Sequence, residues 1–355
     1  MENLNDCCAK IKPCGEAIFI SSRIRLARNL SGEIFQTAIS DKGRTEIFYR
    51  CQSAILKMRK FANGAYCNLE ETPPQTSRIL LEKNLISSEL EQGKGSRGVF
   101  ISSDAAASVM VNEEDHLRIQ AIEGGLCLKA LWKKINSIDD SIEKYLPYAF
   151  SSRYGYLTAC PTNTGTGMRA SVMMHLLGLA MSDDMEKITR GLNQLGIVAR
   201  GSNGEGSDPV GAFYQISNQQ TLGFSEQDII ERITNICVKI AEFEQNARQK
   251  ILEENPEALF DKIARAWAIL ESAIMISTSE ATECLSALRL ASDMGFMPAK
   301  SKILIDETLL KIRPAHLSEG EELTPKMRDI KRAAVLKSAI KNLKKPVFGS
   351  RKKRA

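Results

Sequence analysis

At Ser225 the texture of the chain changes, and that change divides the fold. The stretch "SEQDIIERITNICVKIAEFEQNARQKILEEN" opens on a capping-box pattern, Ser225 to Asp228. It then repeats apolar residues at helical spacing: Ile229, Ile233, Ile236, Ile240 and Phe243. Further amphipathic stretches follow, broken at Pro256, near Gly295 to Pro298 and at Pro314, so the remainder predicts an all-helical region. Ahead of Ser225, strand and helix signals mix. "RGVFISSDAAASVMV" (97–111) predicts two short strands around a polar turn, and "YGYLTAC" (154–160) and "GAFYQISNQ" (211–219) carry β-branched and aromatic residues at strand spacing. Between them, "EGGLCLKALWKKINSIDDSIEKYL" and "GMRASVMMHLLGLAMSDDMEKITRGLNQLG" have helical spacing. The expected class is α+β with an all-helical C-terminal part. The division is drawn at residues 1–245, with a core at 18–245, and 246–355. No internal repeat is present.

The 355 residues, 43% of them apolar, are enough to fill real cores. No stretch approaches the roughly 20 apolar residues of a membrane span, and the first residues lack an apolar signal core, so a cytoplasmic protein is expected. Nine scattered cysteines without paired C-x-x-C spacing predict reduced thiols. The spacing of Cys7, Cys8 and Cys14 does not match a zinc ribbon. The formal charge of +5 belongs to the tail: seven lysines and arginines from Lys341 to Arg354, with no acid among them, leave the rest of the chain at −2. A basic tail of this kind predicts a solvated terminus rather than nucleic-acid binding.

"SSRIRLARNLSG" (21–32) places Arg23, Arg25 and Arg28 in an otherwise apolar segment. If the segment is extended, Arg23 and Arg25 point the same way, and two adjacent guanidinium groups ask for an anion between them. Arg118 follows the acidic run "VNEEDHLR", Arg169 closes "CPTNTGTGMRASV", and Arg200 opens "RGSNGEG", each beside a turn-rich stretch. Arginine's planar fork suits phosphate oxygens and does not lose its charge. Several converging arginines therefore suit a bound triphosphate whose γ-phosphoryl is moved, with Mg²⁺ sharing the neutralisation. The "TGTG" run lacks the Lys-Ser/Thr of a P-loop, and no kinase-type glycine loop with H-R-D occurs, so the common nucleotide sites are excluded.

"SSRIRLARNL", "VNEEDHLRIQ", "CPTNTGTGMRASVMMH" and "ARGSNGEGSDPVGAFYQISN", in that order, resemble the guanidino (phosphagen) kinases. The resemblance is closest to their bacterial protein-arginine kinase branch, of the McsB type. It implies a phosphagen-kinase catalytic domain, an antiparallel sheet flanked by helices. It also implies ATP and Mg²⁺ as the working pair, and a nucleotide site at Ser21, Ser22, Arg23, Ile24, Arg25, Asn84, Arg118, Arg169, Ala170, Ser171, Val172, Met173, Arg200, Gly201, Ser202, Asn203 and Gly204. At Asn84 the family often carries histidine. Glu114 and Glu205 match the two carboxylates that hold the acceptor guanidinium, and Cys160 matches the thiol near its reactive nitrogen. A guanidinium, with a pKa above roughly 12, is a poor nucleophile. Fixed carboxylates align it and accept its proton. The sequence leaves open which glutamate is the base; Glu114 is preferred, with Glu205 orienting. A Cys160 thiolate would be stabilised by nearby arginines and be sensitive to oxidants. His116 and His175 lack a second ligand at suitable spacing, and Mg²⁺ prefers oxygen, so both read as structural and no metal ligand is assigned.

Small-molecule guanidino kinases carry a helical domain ahead of the arginine-rich signature. Only 20 residues precede Ser21 here, which predicts an open acceptor site that admits an arginine on a protein surface. Near the C-terminus, Thr324 and Pro325 predict a helix start, and Arg328 and Arg332 fall on one face. Arg328, Asp329, Arg332 and Ala333 match the family's phosphoarginine-binding element, which implies activation by the product. The expected function is a protein-arginine kinase in protein quality control. The rivals are a small-molecule arginine kinase and a catalytically silent phosphoarginine adaptor. By resemblance its partners are protein substrates with exposed arginine, a zinc-binding activator and the Clp degradation machinery. Apolar stripes on the C-terminal helices make a homodimer plausible.

Overall fold

The computed structural model describes residues 17–201 and 209–348. Its centre is an eight-stranded, wholly antiparallel sheet in the order β2-β3-β4-β5-β1-β8-β10-β9. The strands are β1 (Phe19–Arg28), β2 (Ala65–Asn68), β3 (Gly98–Ile101), β4 (Ala107–Val111), β5 (Leu117–Gly124), β8 (Met168–His175), β9 (Ile197–Gly201) and β10 (Phe213–Asn218). A two-stranded ribbon, β6 (Phe150–Ser151) and β7 (Gly155–Tyr156), stands apart. Helices α1 (Asp41–Ile55), α2 (Arg59–Ala62), α3 (Pro74–Glu82), α4 (Ser88–Gln92), α5 (Leu128–Glu143), α6 (Leu177–Met181) and α7 (Met185–Gln194) are interleaved with the strands. From Ser225 the chain is helical: α8 (Glu226–Glu254), α9 (Pro256–Ser272), α10 (Thr278–Asp293), α11 (Ser301–Lys311), α12 (Pro314–Leu317) and α13 (Pro325–Lys341). The class is α+β, an antiparallel sheet flanked by helices with a helical C-terminal region. No helix among the described residues is long and apolar enough to cross a membrane.

Strand β1 shows why the sheet has two unlike faces. Its residues alternate between half-buried and buried, and the buried set, Ser22, Ile24, Leu26 and Arg28, points to one side. Through the register, Ile24 lies beside Ala121 and Ala170, and Leu26 beside Ile119 and Met168. This back face packs under α5 and α8 into one apolar core. Arg28 belongs to the back face too. It is buried against Asp139 of α5 at 2.7 Å, with its guanidinium 3.5 Å from the Tyr156 ring centre. It therefore parts company with Arg23 and Arg25.

Two expectations change. Residues 168–175, read as helical from their spacing, form the strand β8 at the middle of the sheet. A short apolar run buried on one side suits either element, and pairing with β1 and β10 decides it. In "YGYLTAC" only Gly155 and Tyr156 pair as a strand. The start of α8 follows the capping box: Ser225 Oγ accepts from Asp228 N at 3.2 Å, and Asp228 Oδ2 accepts from Ser225 N at 3.0 Å. Helix α8 runs through the division drawn at 245. Ala247 still packs in the first core, while Ile251 and Leu252 already touch a second core under α9, α10, α11 and α13.

Candidate active site

The front face of the sheet carries the arginines. Cα partners in antiparallel strands share a face, so Arg25 stands with Arg169 on one side and Gln120 on the other, and Arg23 stands with Ser171 and Ile122. Arg118, opposite Ala27, extends the row. Gln215, opposite Met173, brings in Arg200 as its own partner on β9. Five guanidinium groups from four strands are thus set on one surface by register alone. Arg23 Nη2 donates to Gln215 Oε1 at 2.9 Å. Burial, with Arg118 and Arg169 alongside, pushes the Arg23 pKa down to about 10. Burial and the charges of Arg23, Arg118 and Arg169 hold Arg25 well below its ordinary value, and its Nε is buried without a hydrogen-bond partner. Such mutual repulsion in a partly dry site is what a bound polyanion would relieve.

The face opens into a cavity lined by Ser21, Arg23, Asn84, Ile122, Ser171, Met173 and Gln215. Ser22, Ile24, Ala170 and Val172 were assigned to the nucleotide from sequence, but their side chains belong to the back face and are buried. Ser22 Oγ is spent on Gly125 O at 2.7 Å. Only their main chains border the front. Gln215 and Ile122 line the cavity and were missed, because neither residue type signals a ligand; the alternation along β5 and β10 is what could have found them. Gly201 ends β9, and Ser202, Asn203, Gly204 and Glu205 lie outside the described residues.

The charged octet forms the tight connection between β4 and β5. Asn112 adopts φ 59°, a left-handed conformation that asparagine tolerates, and its N–H closes the turn on His116 O at 3.0 Å. Its side chain donates to Arg44 O and Ser96 O at 2.8 and 2.7 Å, which anchors the turn. Glu113 turns back to pair with Arg118 and accepts from Ser87 Oγ at 2.5 Å. Asp115 accepts from Asn29 Nδ2 at 2.6 Å and from Ala159 N at 2.7 Å, tying the loop that carries Cys160 to the turn. Glu114 is left beside Cys160, whose thiol acts to lower the carboxyl's pKa. Burial, then Asp115 and Glu113, push the Glu114 carboxyl above its ordinary value despite Arg118 and that thiol. Cys160 Sγ also lies 3.0 Å from Thr162 Oγ1.

His116 and His175 are structural in their surroundings. His116 Nδ1 accepts from Leu30 N at 3.0 Å, which leaves the proton on Nε2 to donate to Ile34 O at 3.0 Å. His175 is buried and bonded to Ser286 Oγ at 2.7 Å; burial and the charges of Arg289 and Arg248 depress its pKa well below 6.5. Among the described residues no cluster of three His, Cys, Asp or Glu side chains could hold a metal.

The segment Arg328 to Ala333, expected from sequence to bind phosphoarginine, lies on α13, whose N-cap Thr324 accepts from Met327 N at 3.3 Å. Arg328 and Arg332 do not share a solvent face. Arg332 is 1% exposed; it donates to Ile312 O at 3.0 Å and Ile276 O at 2.8 Å and pairs with Asp329. Arg328 stays half-buried nearby, and Ala333 is in the second core.

Chemically, the front face presents a dense positive surface for phosphates with a carboxylate and a thiol at its rim. The ATP:guanido phosphotransferase C-terminal catalytic domain matches residues 46–247, and the protein-arginine kinase McsB C-terminal domain matches residues 256–351. A protein-arginine kinase of Pelotomaculum thermopropionicum is 41% identical over 92% of this chain and 93% of its own length. That of Bacillus pumilus is 40% identical over 91% and 90%. Among solved structures, lombricine kinase superposes with a TM-score of 0.57 at 25% identity, covering 66% of this chain and 71% of its own. The duplicated taurocyamine kinase of Schistosoma mansoni, with bound transition-state-analogue components, gives 0.60 at 26% identity over 71% of this chain and 37% of its own. The chain belongs to the ATP:guanido phosphotransferase family, in its protein-arginine kinase branch.

Proposed function

We propose that this protein-arginine kinase holds the triphosphate of ATP on the front face of its sheet and moves the γ-phosphoryl to an arginine side chain of a protein presented at Glu114 and Cys160. One observation carries the reading: Arg23, Arg25, Arg118, Arg169 and Arg200 share a face by register, with Glu114 and Cys160 at its rim. Mg²⁺ would travel with the nucleotide and would neutralise phosphate charge; among the described residues no cluster of three His, Cys, Asp or Glu side chains would hold it, so phosphate oxygens and water would be its ligands. Glu114 accepts the guanidinium proton, Cys160 orients the reacting nitrogen, and Glu205 is the second carboxylate. The test runs ATP with Mg²⁺, a protein acceptor and free arginine in parallel, and detects acid-labile phosphate. Label on protein alone supports this reading. Label on free arginine favours a small-molecule kinase, and none at all favours an adaptor.

A pH profile checks the base. Glu114 works ionised, and its carboxyl is raised above the ordinary 4.5. The acid limb of kcat/KM is therefore expected to fall away at a pH above 4.5 rather than at it, and that limb should vanish in Glu114→Gln.

The reading extends to phosphoarginine as an activating ligand, with Arg328 as the accessible cation and Arg332 as the scaffold beneath it. Arg332→Ala strands the Ile276 and Ile312 carbonyls and is expected to cost about 2–4 kcal/mol of stability by denaturant unfolding. Arg328→Ala, which breaks no such bonds, should leave stability within about 0.5 kcal/mol and weaken phosphoarginine binding about tenfold by calorimetry. Equal effects of the two variants on binding and stability would end this assignment. A cytoplasmic quality-control role, with a zinc-binding activator, the Clp machinery and a homodimer as partners, completes the proposal.

A further inference from the structure

The front-face cavity has one wall that does not come from the sheet. Asn84 follows α3, and its φ of 56° makes it the left-handed residue of a Schellman ending. Leu85 N donates to Leu80 O at 3.0 Å and Asn84 N to Leu81 O at 2.9 Å. The turn is then fastened to the sheet: Gln120 Nε2 donates to Asn84 O at 2.6 Å, and Ser108 Oγ to Leu85 O at 3.0 Å. The position of Asn84 is therefore the position of the end of α3.

That end is gripped from the C-terminal region. Glu82, the last residue of α3, sits where the helix dipole disfavours an acid. Its carboxylate accepts from Ala315 N at 2.7 Å, His316 N at 3.1 Å and His316 Nδ1 at 2.6 Å. Its carbonyl, one of those a helix terminus leaves open, accepts from Arg313 Nη1. Gln75, near the start of α3, makes a separate contact with Ala315 O at 2.6 Å. One residue before Arg313 is Ile312, whose carbonyl Arg332 holds. A single peptide step thus joins the α13 element to the group that caps α3.

We infer that Glu82, Arg313 and His316 form a positioning latch through which the C-terminal helices fix the Asn84 wall of the nucleotide cavity. The inference rests on the reading of that cavity as the nucleotide site. These residues touch no substrate; they act through Asn84, so their loss appears in nucleotide affinity and not in the chemical step.

The experiment uses the full chain, with ADP and Mg²⁺ titrated by calorimetry and kcat and KM for ATP measured on a protein acceptor. Glu82→Gln and Arg313→Ala are expected to weaken ADP and raise KM for ATP about tenfold, the equivalent of one lost charge-assisted hydrogen bond, with kcat within about twofold. Arg313→Lys should recover most of the loss. Gln75→Ala loosens the same interface away from the helix end and should leave ADP affinity unchanged. Glu82→Gln is nearly isosteric, so far-UV circular dichroism is expected to match the parent. ADP affinity unchanged in both variants, a loss confined to kcat, or an equal loss in Gln75→Ala overturns the latch. A parent chain that binds ADP but labels no acceptor would sink the proposed function, while the calorimetric comparison would still decide the latch. A parent that does not bind ADP overturns both.

Discussion

Replacing Glu114 by glutamine is expected to lower kcat for protein-arginine phosphorylation by about 10²- to 10⁴-fold while leaving ADP affinity unchanged. The acceptor guanidinium is protonated at every working pH, and its nitrogens share their lone pairs across the group, so transfer needs a group that aligns one nitrogen and takes its proton. On the proposed reading Glu114 is that group, and its neighbours leave it for the role. Asp115 is committed to Asn29 and Ala159, and Glu113 to Arg118 and Ser87, which leaves Glu114 to meet Cys160. Glutamine keeps the volume and an acceptor for the thiol but cannot receive a proton. Glu113→Gln should separate the two roles, since it frees Arg118 and should raise KM for ATP with a smaller change in kcat. Steady-state kinetics of both variants decide the matter: a Glu114→Gln enzyme retaining more than about a tenth of kcat shows that the proton goes elsewhere.

The arginine face was legible because its signal is local. Two arginines two residues apart in an extended segment must share a side, and β1 obeys that. The same parity puts Arg28 on the back and makes Ser22 and Ile24 core residues, a distinction that a contiguous motif blurs. Strand β8 was misread because "MRASVMMH" is apolar at spacings that suit either element, and only its neighbours β1 and β10 choose. On α13 helical spacing put Arg328 and Arg332 on one face but could not tell that Arg332 is buried and Arg328 only half-buried. The burial of Arg332 depends on carbonyls of Ile276 and Ile312, which lie far from it along the chain. Glu82 carries no signal at all in the sequence, since its partners lie more than 230 residues away. Local chemistry could be read; the long-range placement that turns a charge into a scaffold could not.

The second large effect is expected at Asp293, the last residue of α10. Its carboxylate is 1% exposed and lies 2.9 Å from Lys302 Nζ, 3.1 Å from Arg248 Nη1 and 3.4 Å from Arg289 Nη1. Arg289 is fully buried, with Asp306 at 2.9 Å as its other carboxylate. Arg248 pairs with Glu244 one turn earlier on α8 and reaches His175 O at the end of β8. Glu244 in turn caps the start of α6 through Gly178 N and Leu179 N, both at 2.8 Å. The network joins the sheet's core to the second core. Removing its central anion leaves three cations with, among the described residues, only Glu244 and Asp306 to balance them in a region with little water, and breaking a buried pair from one side costs about 3–5 kcal/mol. By contrast, Asp261→Ala, which breaks an exposed pair with Arg265, should stay within about 0.5 kcal/mol. The chain has two tryptophans, Trp132 against the first core and Trp267 inside the second, so each can report its own unfolding in a chain where the other is phenylalanine. In the parent the two denaturant transitions are expected to coincide. In Asp293→Ala the Trp267 transition should move to lower denaturant and separate from that of Trp132, because the charges that couple the cores then repel each other. Two transitions that stay superimposed and shift by less than 1 kcal/mol would show that α10 is held by its apolar face and that the ion network adds little.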